Sequence, residues 1–382
     1  MSVVRIAMVA LLVALVISTA MPKAVMAIGT DLCPLNKTEE NGNLFCQPVQ
    51  AIRYSNVGTN GSYQEIIDMS SDGICTKRLK FYNGSLAPLN EELSLHFRGP
   101  IHLMQLATYS TSIPTQDQRL KLHTAVPSAS GNLNVVSKNR SAIHESYNRI
   151  GYYRAASQTL ENMTFLGNFG MWGAGVTDEQ YGASVSYINS TSTGGALSPQ
   201  ILANVTIPSD SEVIVMSGKT CQDGDCGYVR PGAVAYHGFG GSNKIFLMEF
   251  MMPKDDKRGF NGDMPAIWLL NAQIVRTLQY GKGECSCWRS GCGEFDVAES
   301  LSSGSSFLKS TLHINQLAGD SDYIRRPTYA PMKLAVVFNQ KLSSIQIQVL
   351  PEEFAFSRSI SISAIDELLK KDANSISQIT VI

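Results

Sequence analysis

The stretch GEFDVAESL (293–301) has the pattern of a β-strand, and together with its neighbouring runs it predicts the fold of this chain. Short runs of the same kind surround it: KIFLMEFMMP (244–253), AIWLLN (266–271), STLHI (310–314), LAVVFN (334–339) and SSIQIQVL (343–350). In the last run, apolar residues alternate strictly with glutamines, as in a β-strand. Only one helix is predicted, from Ala364 to about Lys371. Many short strands and one terminal helix predict an all-β sandwich.

The spacing of three carboxylates inside this stretch is irregular for a strand. Glu294 and Asp296 share a face of a regular strand, whereas Glu299 points the opposite way, into the core, at a high desolvation cost. One extra residue at Val297–Ala298, a β-bulge, returns Glu299 to the shared face. The sequence therefore predicts a bulged strand with three carboxylates on one sheet surface.

Such a cluster of acids has a chemical interpretation. Two carboxyl groups about 5–5.5 Å apart are typical of retaining glycosidases. Glu294 then acts as the nucleophile, Glu299 as the acid/base with a raised pKa, and Asp296 holds the nucleophile in place. A Ca²⁺ site and a solvated charge cluster on an edge strand remain alternatives for the same three residues.

Composition excludes some partners and indicates a compartment. The net charge of −1 and the lack of a basic run argue against nucleic-acid binding. Arg5 and the apolar run Ile6–Ile17 predict a secretory signal peptide over 1–27, with a signal anchor as the alternative. Eight cysteines and several Asn-x-Ser/Thr sequons agree with secretion. We expect an extracellular or cell-wall protein without a membrane anchor, since no GPI-type tail follows residue 370.

A polar stretch from about Ser110 to Ser141 predicts a linker, and hence a division into segments 28–130 and 131–382. In the first segment, LSLHF (93–97) and IHLMQLATY (101–109) flank an Arg-Gly-Pro turn. They are expected to form a hairpin or a strand pair bent at a loop. This β-rich segment is either an accessory binding module or additional strands of the same sandwich.

Two sets of motifs resemble known families. The strand ending in Pro, the Pro-Ala-x-Trp strand, the Glu-x-Asp-x-x-Glu strand and the strand with His, in this order over about 244–314, resemble the family-16 glycoside hydrolases. CSCWRSGCGEFDVAES (285–300), DCGYVRPGAVAYHGFGG (225–241) and LAPLNEELSLHFRGPI (86–101) look like the Tos-type cell-wall proteins of fungi and related walled eukaryotes, glycosidases assigned to β-1,3-glucan.

These resemblances imply a concanavalin A-like β-jelly roll with an open cleft. They also imply that Glu294 is the nucleophile, Glu299 the acid/base and Asp296 the assisting acid. The implied activity is that of a retaining endo-1,3-β-glucanase, with cell-wall β-glucan as its partner. We expect a monomer that needs no cofactor and no metal.

Five further residues are candidates for substrate binding. Trp288 lies among small and polar residues six positions before the first acid, and Trp268 is either a sugar platform or part of the core. Trp172 lies in a Gly-rich loop. His313 is implied by the family resemblance, although a lone His on a strand is more often structural. Glu249 interrupts an apolar strand and lies either in the cleft or at a sheet edge.

The cysteines near the acids indicate a constrained loop. Cys285, Cys287 and Cys292 could bind zinc only as thiolates with a fourth ligand, whereas secretion favours disulfides that pin the loop shaping the cleft. Cys221 and Cys226 are close enough in sequence to bridge each other.

Two functional alternatives remain open from the sequence. A transglycosylase would use the same acids, with an acceptor sugar in place of water. A non-catalytic glucan-binding wall protein or lectin-like module would keep the cleft for binding alone.

Overall fold

The structure is a computed structural model that describes residue 33 and residues 37–111, 146–370 and 375–382. The predicted signal peptide, most of the predicted linker and the boundary between residues 130 and 131 lie outside the described residues. Among the residues described, no helix is both long and apolar enough to cross a membrane.

The described chain is mostly β. Its strands are β1 (Thr38–Glu40), β2 (Asn43–Phe45), β3 (Ala51–Ser55), β4 (Gly61–Met69), β5 (Cys75–Tyr82), β6 (Leu93–Arg98), β7 (Ile101–Thr111), β8 (Ser146–Arg154), β9 (Thr159–Glu161), β10 (Met163–Gly167), β11 (Thr177–Asp178), β12 (Gly182–Ala183), β13 (Ser186–Ile188), β14 (Gly195–Ala196), β15 (Thr206–Ile207), β16 (Glu212–Ser217), β17 (Lys244–Met251), β18 (Ala266–Asn271), β19 (Glu294–Glu299), β20 (Phe307–His313), β21 (Leu317–Gly319), β22 (Ile324–Arg325), β23 (Met332–Asn339), β24 (Ser344–Leu350), β25 (Ser359–Ser361) and β26 (Ile376–Thr380).

The helices within the described residues are few and short. They are α1 (Ala272–Arg276), α2 (Ile362–Lys370) and the 3₁₀ turns Gly170–Trp172, Gly283–Cys285 and Cys287–Ser290. The predicted terminal helix corresponds to α2, which begins two residues earlier than expected because Ser361 Oγ accepts a hydrogen bond from the Ala364 backbone N–H.

Two ten-stranded sheets hold most of the strands. The front sheet has the order β14-β13-β10-β16-β6-β18-β19-β20-β21, with β22 paired to β20. The back sheet has the order β25-β8-β7-β17-β23-β24-β3-β26, with β15 paired to β7 and β9 to β8. Neighbouring strands are antiparallel except for β26, which runs parallel to β3. The prediction of a β-rich chain is confirmed.

One hydrophobic cluster joins the two sheets. Phe97, Leu269 and Phe295 of the front sheet belong to it together with Phe246 and Val336 of the back sheet. Alternate residues of these strands point away from the cluster, because successive side chains of a strand project to opposite faces. The outer face of the front sheet is therefore where polar residues of β6 and β19 are displayed.

Strands from before residue 111 occupy central positions in both sheets. β6 lies between β16 and β18, and β7 lies between β8 and β17. Of the two arrangements expected for these strands, the hairpin is wrong and the strand pair bent at a loop describes the chain, because Gly99–Pro100 carries it from one sheet to the other. Strands on both sides of the predicted linker thus belong to the same sheets. The described residues from Cys33 to Ile382 form one compact unit.

The outer face of the back sheet is also covered. Gln346 and Gln348, on the polar side of β24, are each only 2% exposed. Arg53 Nε donates to Gln346 Oε1 at 2.6 Å, and its Nη2 donates to the Leu369 carbonyl of α2 at 2.8 Å. Hydrogen bonds of this kind allow polar side chains to be buried beneath a helix.

Candidate active site

The predicted bulge is present in β19. Across the β18–β19 pair, Ile267 lies opposite Ala298 and Trp268 lies opposite Asp296, which leaves Val297 without a partner. The register with β20 shifts over the same residues. One extra residue therefore separates Asp296 from the next paired position, and this prediction is confirmed.

The bulge sorts the side chains of β19 between two faces. Phe295 and Val297 are fully buried in the cluster between the sheets. Glu294, Asp296 and Glu299 are half-buried, each with an ion-pair or hydrogen-bond partner on the outer face. Without the extra residue, Glu299 would point towards the apolar core.

The first two acids are each held by a neighbouring side chain. Trp288 Nε1 donates to Glu294 Oε2 at 2.5 Å. His313 Nε2, on the adjacent strand β20, donates to Asp296 Oδ2 at 3.0 Å. Trp288 and His313, two of the predicted binding residues, thus lie at the carboxylates and orient them.

The third acid is paired with an arginine that the sequence did not single out. Arg98 Nη2 donates to Glu299 Oε1 at 3.1 Å, and Arg98 Nε donates to the Met264 carbonyl at 2.8 Å. Arg98 ends β6, opposite Ala266 of β18, and Glu299 lies opposite the same alanine from the other side. The small side chain of Ala266 leaves room for this ion pair to cross one strand.

The charges in this row depend on one another. Burial, followed by the charge of Asp296, raises the pKa of Glu294 to about 7. Burial and the same charge raise the pKa of Glu299, although Arg98 opposes this shift. Burial alone would lower the pKa of His313, but the hydrogen bond and charge of Asp296 raise it above its usual value. The charge of Asp296 therefore favours the protonated form of both glutamates.

The loop that carries Trp288 is fastened at two points. Cys287–Cys292 closes the 3₁₀ turn around this residue, and Cys75–Cys285 ties its approach to β5. The predicted pinning of the loop by disulfides is confirmed. It holds the indole at the distance needed to reach Glu294.

All eight cysteines are bonded in pairs, the remaining bridges being Cys33–Cys46 and Cys221–Cys226. The predicted small loop between residues 221 and 226 is confirmed. Asp225 and His237 lie with the Cys221 and Cys226 sulfurs inside 4.8 Å, but these sulfurs are bonded to each other and are not thiolates. The zinc alternative for Cys285, Cys287 and Cys292 is also wrong, because all three are bonded in disulfides and are not thiolates.

Trp268 lies next to the carboxylates but is packed rather than exposed. Its ring is 7% exposed and stacks on His96 of β6, with ring centroids 5.0 Å apart. Tyr63 and Tyr82 of the β4–β5 hairpin join it in a hydrophobic cluster on the outer face. The core-packing alternative therefore describes Trp268, and the hairpin walls off this side of the site.

Two of the predicted binding residues are not brought to the carboxylates. Trp172 is 80% exposed in the 3₁₀ turn beside β14, and β14 is six positions from β19 in the front sheet. Glu249 lies on β17 of the back sheet, between Gln105 and Lys333. The expectation for Glu249 was wrong, because strand alternation assigns a residue to a face but not to a sheet. A role of the Trp172 loop at the border of the cleft stays a prediction.

A second polar group lies on the β16 side of the site and was not predicted. Glu212 accepts hydrogen bonds from His96 Nδ1 at 2.7 Å, Gln279 Nε2 at 2.8 Å and the Tyr280 hydroxyl at 2.8 Å. The only sequence signal was the alternation in LSLHFR, which places His96 and Arg98 on one face.

The comparisons with known proteins cover most of the chain. The family model described as cell wall protein YJL171C/Tos1, C-terminal, matches residues 145–368, and its N-terminal counterpart matches residues 50–111. No solved structure matches the chain.

Several curated fungal proteins are similar over nearly their whole length. TOS1 of Saccharomyces cerevisiae is 35% identical, over 88% of this chain and 94% of its own. TOS1 of Candida albicans is 33% identical, over 87% and 93%. A protein of Arthroderma benhamiae is 34% identical, over 87% and 92%. Each is named a probable circularly permuted 1,3-beta-glucanase. With two family models and full-length relatives in agreement, this chain belongs to the Tos1/YJL171C family of cell wall proteins.

Proposed function

We propose that this protein is a secreted endo-1,3-β-glucanase of the cell wall that cleaves its substrate with retention of configuration. The observation that carries the proposal is the bulged strand β19, which displays Glu294, Asp296 and Glu299 on one face, each with its own partner. The relatives' names supply the substrate class, since each is a probable 1,3-beta-glucanase.

We infer that the two sheets form a jelly-roll sandwich with the cleft on the outer face of the front sheet. The shared hydrophobic cluster supports this inference. The relatives are named circularly permuted, and the sheet order fits such a rearrangement. Early strands β6 and β7 lie at the centres of sheets that late strands complete.

Secretion has support from the covalent structure and the surface. Four disulfides are stable in oxidising compartments but are rare in the cytosol. Asn60, Asn83 and Asn204, each the first residue of a sequon, are exposed and therefore open to glycosylation.

In the first chemical step, Glu294 bonds to the anomeric carbon while the bond from that carbon to the leaving oxygen breaks. Glu299 gives its proton to that oxygen. The Trp288 N–H fixes Glu294 Oε2 and favours the ionised carboxylate, as a nucleophile requires. Asp296, held by His313, keeps a negative charge beside both glutamates and helps Glu299 to retain its proton.

In the second step, the Glu299 carboxylate takes a proton from water as the water oxygen bonds to the anomeric carbon. The ester bond to Glu294 breaks and restores that carboxylate. Arg98 stabilises Glu299 in its charged state between the two steps. Two successive inversions give overall retention. If an acceptor sugar replaces water, products longer than the substrate appear.

Measurements on laminarin with carboxamide variants test the proposal. Glu294→Gln and Glu299→Gln are each expected to lose at least about a hundredfold in kcat. Glu249→Gln is the matched control because this glutamate lies in the back sheet. The proposal fails if Glu294→Gln keeps most of its activity. It also fails if the wild type binds β-glucan but neither hydrolyses nor transfers it, which would identify a glucan-binding wall protein.

A further inference from the structure

Glu212 is a largely buried carboxylate for which the proposed reaction has no use. Besides the hydrogen bonds from His96, Gln279 and Tyr280, its Oε2 accepts from Asn168 Nδ2 at 3.4 Å. Burial by itself would raise the pKa of Glu212, but these hydrogen bonds, led by that of His96, lower it. Four donors directed at one carboxylate fix both the carboxylate and the groups around it.

The most exposed member of this network is Tyr280. Its ring is 57% exposed, although its hydroxyl donates to Glu212 at 2.8 Å. The loop after α1 carries this residue back over the front sheet and turns at Gly281, whose φ of +115° favours glycine. Tyr280 therefore presents an aromatic face to solvent while its hydroxyl end is held.

The distance between Tyr280 and the row of Glu294, Asp296 and Glu299 can be expressed in strands of the front sheet. Glu212 lies opposite Arg98 on β6, and β6 and β18 separate it from Glu299 on β19. Three strand spacings correspond to roughly 14 Å across a sheet, more than one pyranose ring. The pKa of the Tyr280 hydroxyl is raised by burial of the hydroxyl end, by Glu212 and, more weakly, by Glu294. The hydrogen bond to Glu212 places the Tyr280 hydroxyl on the β16 side of the carboxylate row.

An exposed aromatic ring such as that of Tyr280 favours a sugar unit as its ligand. A β-linked glucose unit is uncharged, has an apolar face of axial C–H bonds, and stacks on aromatic rings whose orientation is fixed. A ring that is held in place loses less conformational entropy when its ligand binds. Trp288 offers a second ring, 44% exposed, at the nucleophile itself. Tyr280 lies on the opposite, β16, side.

We propose that Tyr280 is a sugar-stacking subsite on the β16 side of the cleft, oriented by Glu212, which binds a glucose unit of the β-glucan chain away from the cleaved bond. The assignment rests on the proposed glucanase function. It makes Tyr280 a determinant of the preference for chain length, because only a substrate long enough to cross β18 and β6 reaches it.

The test compares Tyr280→Ala with Tyr280→Phe on laminari-oligosaccharides of increasing length. Tyr280→Ala is expected to lower kcat/KM about tenfold for the longest oligosaccharides and to leave the shortest cleavable one unchanged. Tyr280→Phe keeps the ring but loses the hydrogen bond to Glu212 that holds it, so its kcat/KM for the longest oligosaccharides should lie between those of the wild type and Tyr280→Ala. Tyr329→Ala removes an even more exposed tyrosine on the segment that leads to β23 of the back sheet, and serves as the control.

Oligosaccharide binding to an inactive variant gives a second measurement. In the Glu294→Gln variant, adding Tyr280→Ala should weaken the affinity for the longest oligosaccharide about tenfold, measured by calorimetry. An equal loss for all lengths, or no loss for any, would overturn the subsite. A wild type that acts on no oligosaccharide overturns the proposed function itself, so the two failures can be told apart.

Discussion

At the scale of single residues, the site is a row of charges whose protonation is set by neighbours. Asp296 raises the pKa of both glutamates, and Arg98 opposes this for Glu299 alone. A retaining glycosidase needs one glutamate ionised and the other protonated, so each of these contacts affects the pH range of activity. Two predictions follow from the signs of these effects.

Arg98→Met should move the alkaline limb of the pH profile of kcat/KM to higher pH. Removal of the guanidinium takes away the positive charge that lowers the pKa of Glu299, so the acid stays protonated to higher pH. The facing charged groups that remain are Asp296, Glu294 and His313. Arg98→Lys keeps a positive charge and should shift the limb less. A limb that stays in place, or moves to lower pH, would contradict the role of Arg98.

Glu294→Gln should be more stable than the wild type at pH 8. The folded-state pKa of Glu294, about 7, lies above the ordinary glutamate value of 4.5, so the folded protein holds this proton more tightly than the unfolded chain. Stability is therefore lost as the pH rises from about 4.5 through 7, and an uncharged glutamine avoids that loss. Urea unfolding should show the gain at pH 8 and little of it at pH 4. An equal gain at both values would refute the electrostatic cause.

Among the structural elements, the bulge in β19 and the disulfide-bonded loop before it position the side chains of the site. The bulge turns Glu299 outward, and the loop brings the Trp288 indole to Glu294. Cys287–Cys292 and Cys221–Cys226 each close a loop with a sequence separation of 5 residues, but only the first encloses a residue of the site. Removing each of these two disulfides therefore distinguishes an effect on stability from an effect on activity.

The double variant Cys287→Ser/Cys292→Ser should lose most of its kcat/KM, because Trp288 is no longer held at the nucleophile. Cys221→Ser/Cys226→Ser should lose a similar amount of stability, about 2 kcal/mol, while its kcat/KM stays near that of the wild type. Thermal unfolding and laminarin turnover measure the two quantities. Equal activities in the two double variants would show that the loop does not position Trp288.

Local elements were predictable, whereas their pairing was not. β-Rich runs between turn residues identified β17, β18, β19, β20 and β23, and alternation identified β24. The spacing of the acids indicated the bulge, since these signals each lie within one strand. Helix α1 was missed because five residues are too few to show a helical period. Arg98 and Glu299 are separated by 201 residues, and no local pattern shows that β6 lies beside β18. Glu249 was placed wrongly for the same reason.

At the scale of the whole molecule, buried polar groups connect the early and late parts of the chain. Lys244, at the start of β17, is 1% exposed, and its Nζ donates to the carbonyls of Leu89, Glu91 and Phe239. These acceptors lie on the segments that lead into and away from the front sheet. One ammonium group therefore ties the back sheet to two connections of the front sheet.

Lys244→Met should lower the free energy of unfolding by about 3 kcal/mol, because three buried carbonyls lose their donor. Lys333→Met is the matched control. Its Nζ also donates to backbone carbonyls, those of Glu352 and Phe354, but near the surface, so the loss should stay below about 1 kcal/mol. Urea unfolding at neutral pH distinguishes the two. Equal losses would show that the Lys244 hydrogen bonds add nothing beyond a surface contact.

The central claim is that Glu294 and Glu299 cleave 1,3-β-glucan by double displacement. A proton-NMR time course of laminarin cleavage by the wild-type protein tests it most directly, because the anomeric signals of new reducing ends appear before mutarotation equilibrates them. The β-anomer should form first, and no signal should appear with Glu294→Gln. The α-anomer forming first, or no new reducing ends and no longer products from the wild type, would contradict it.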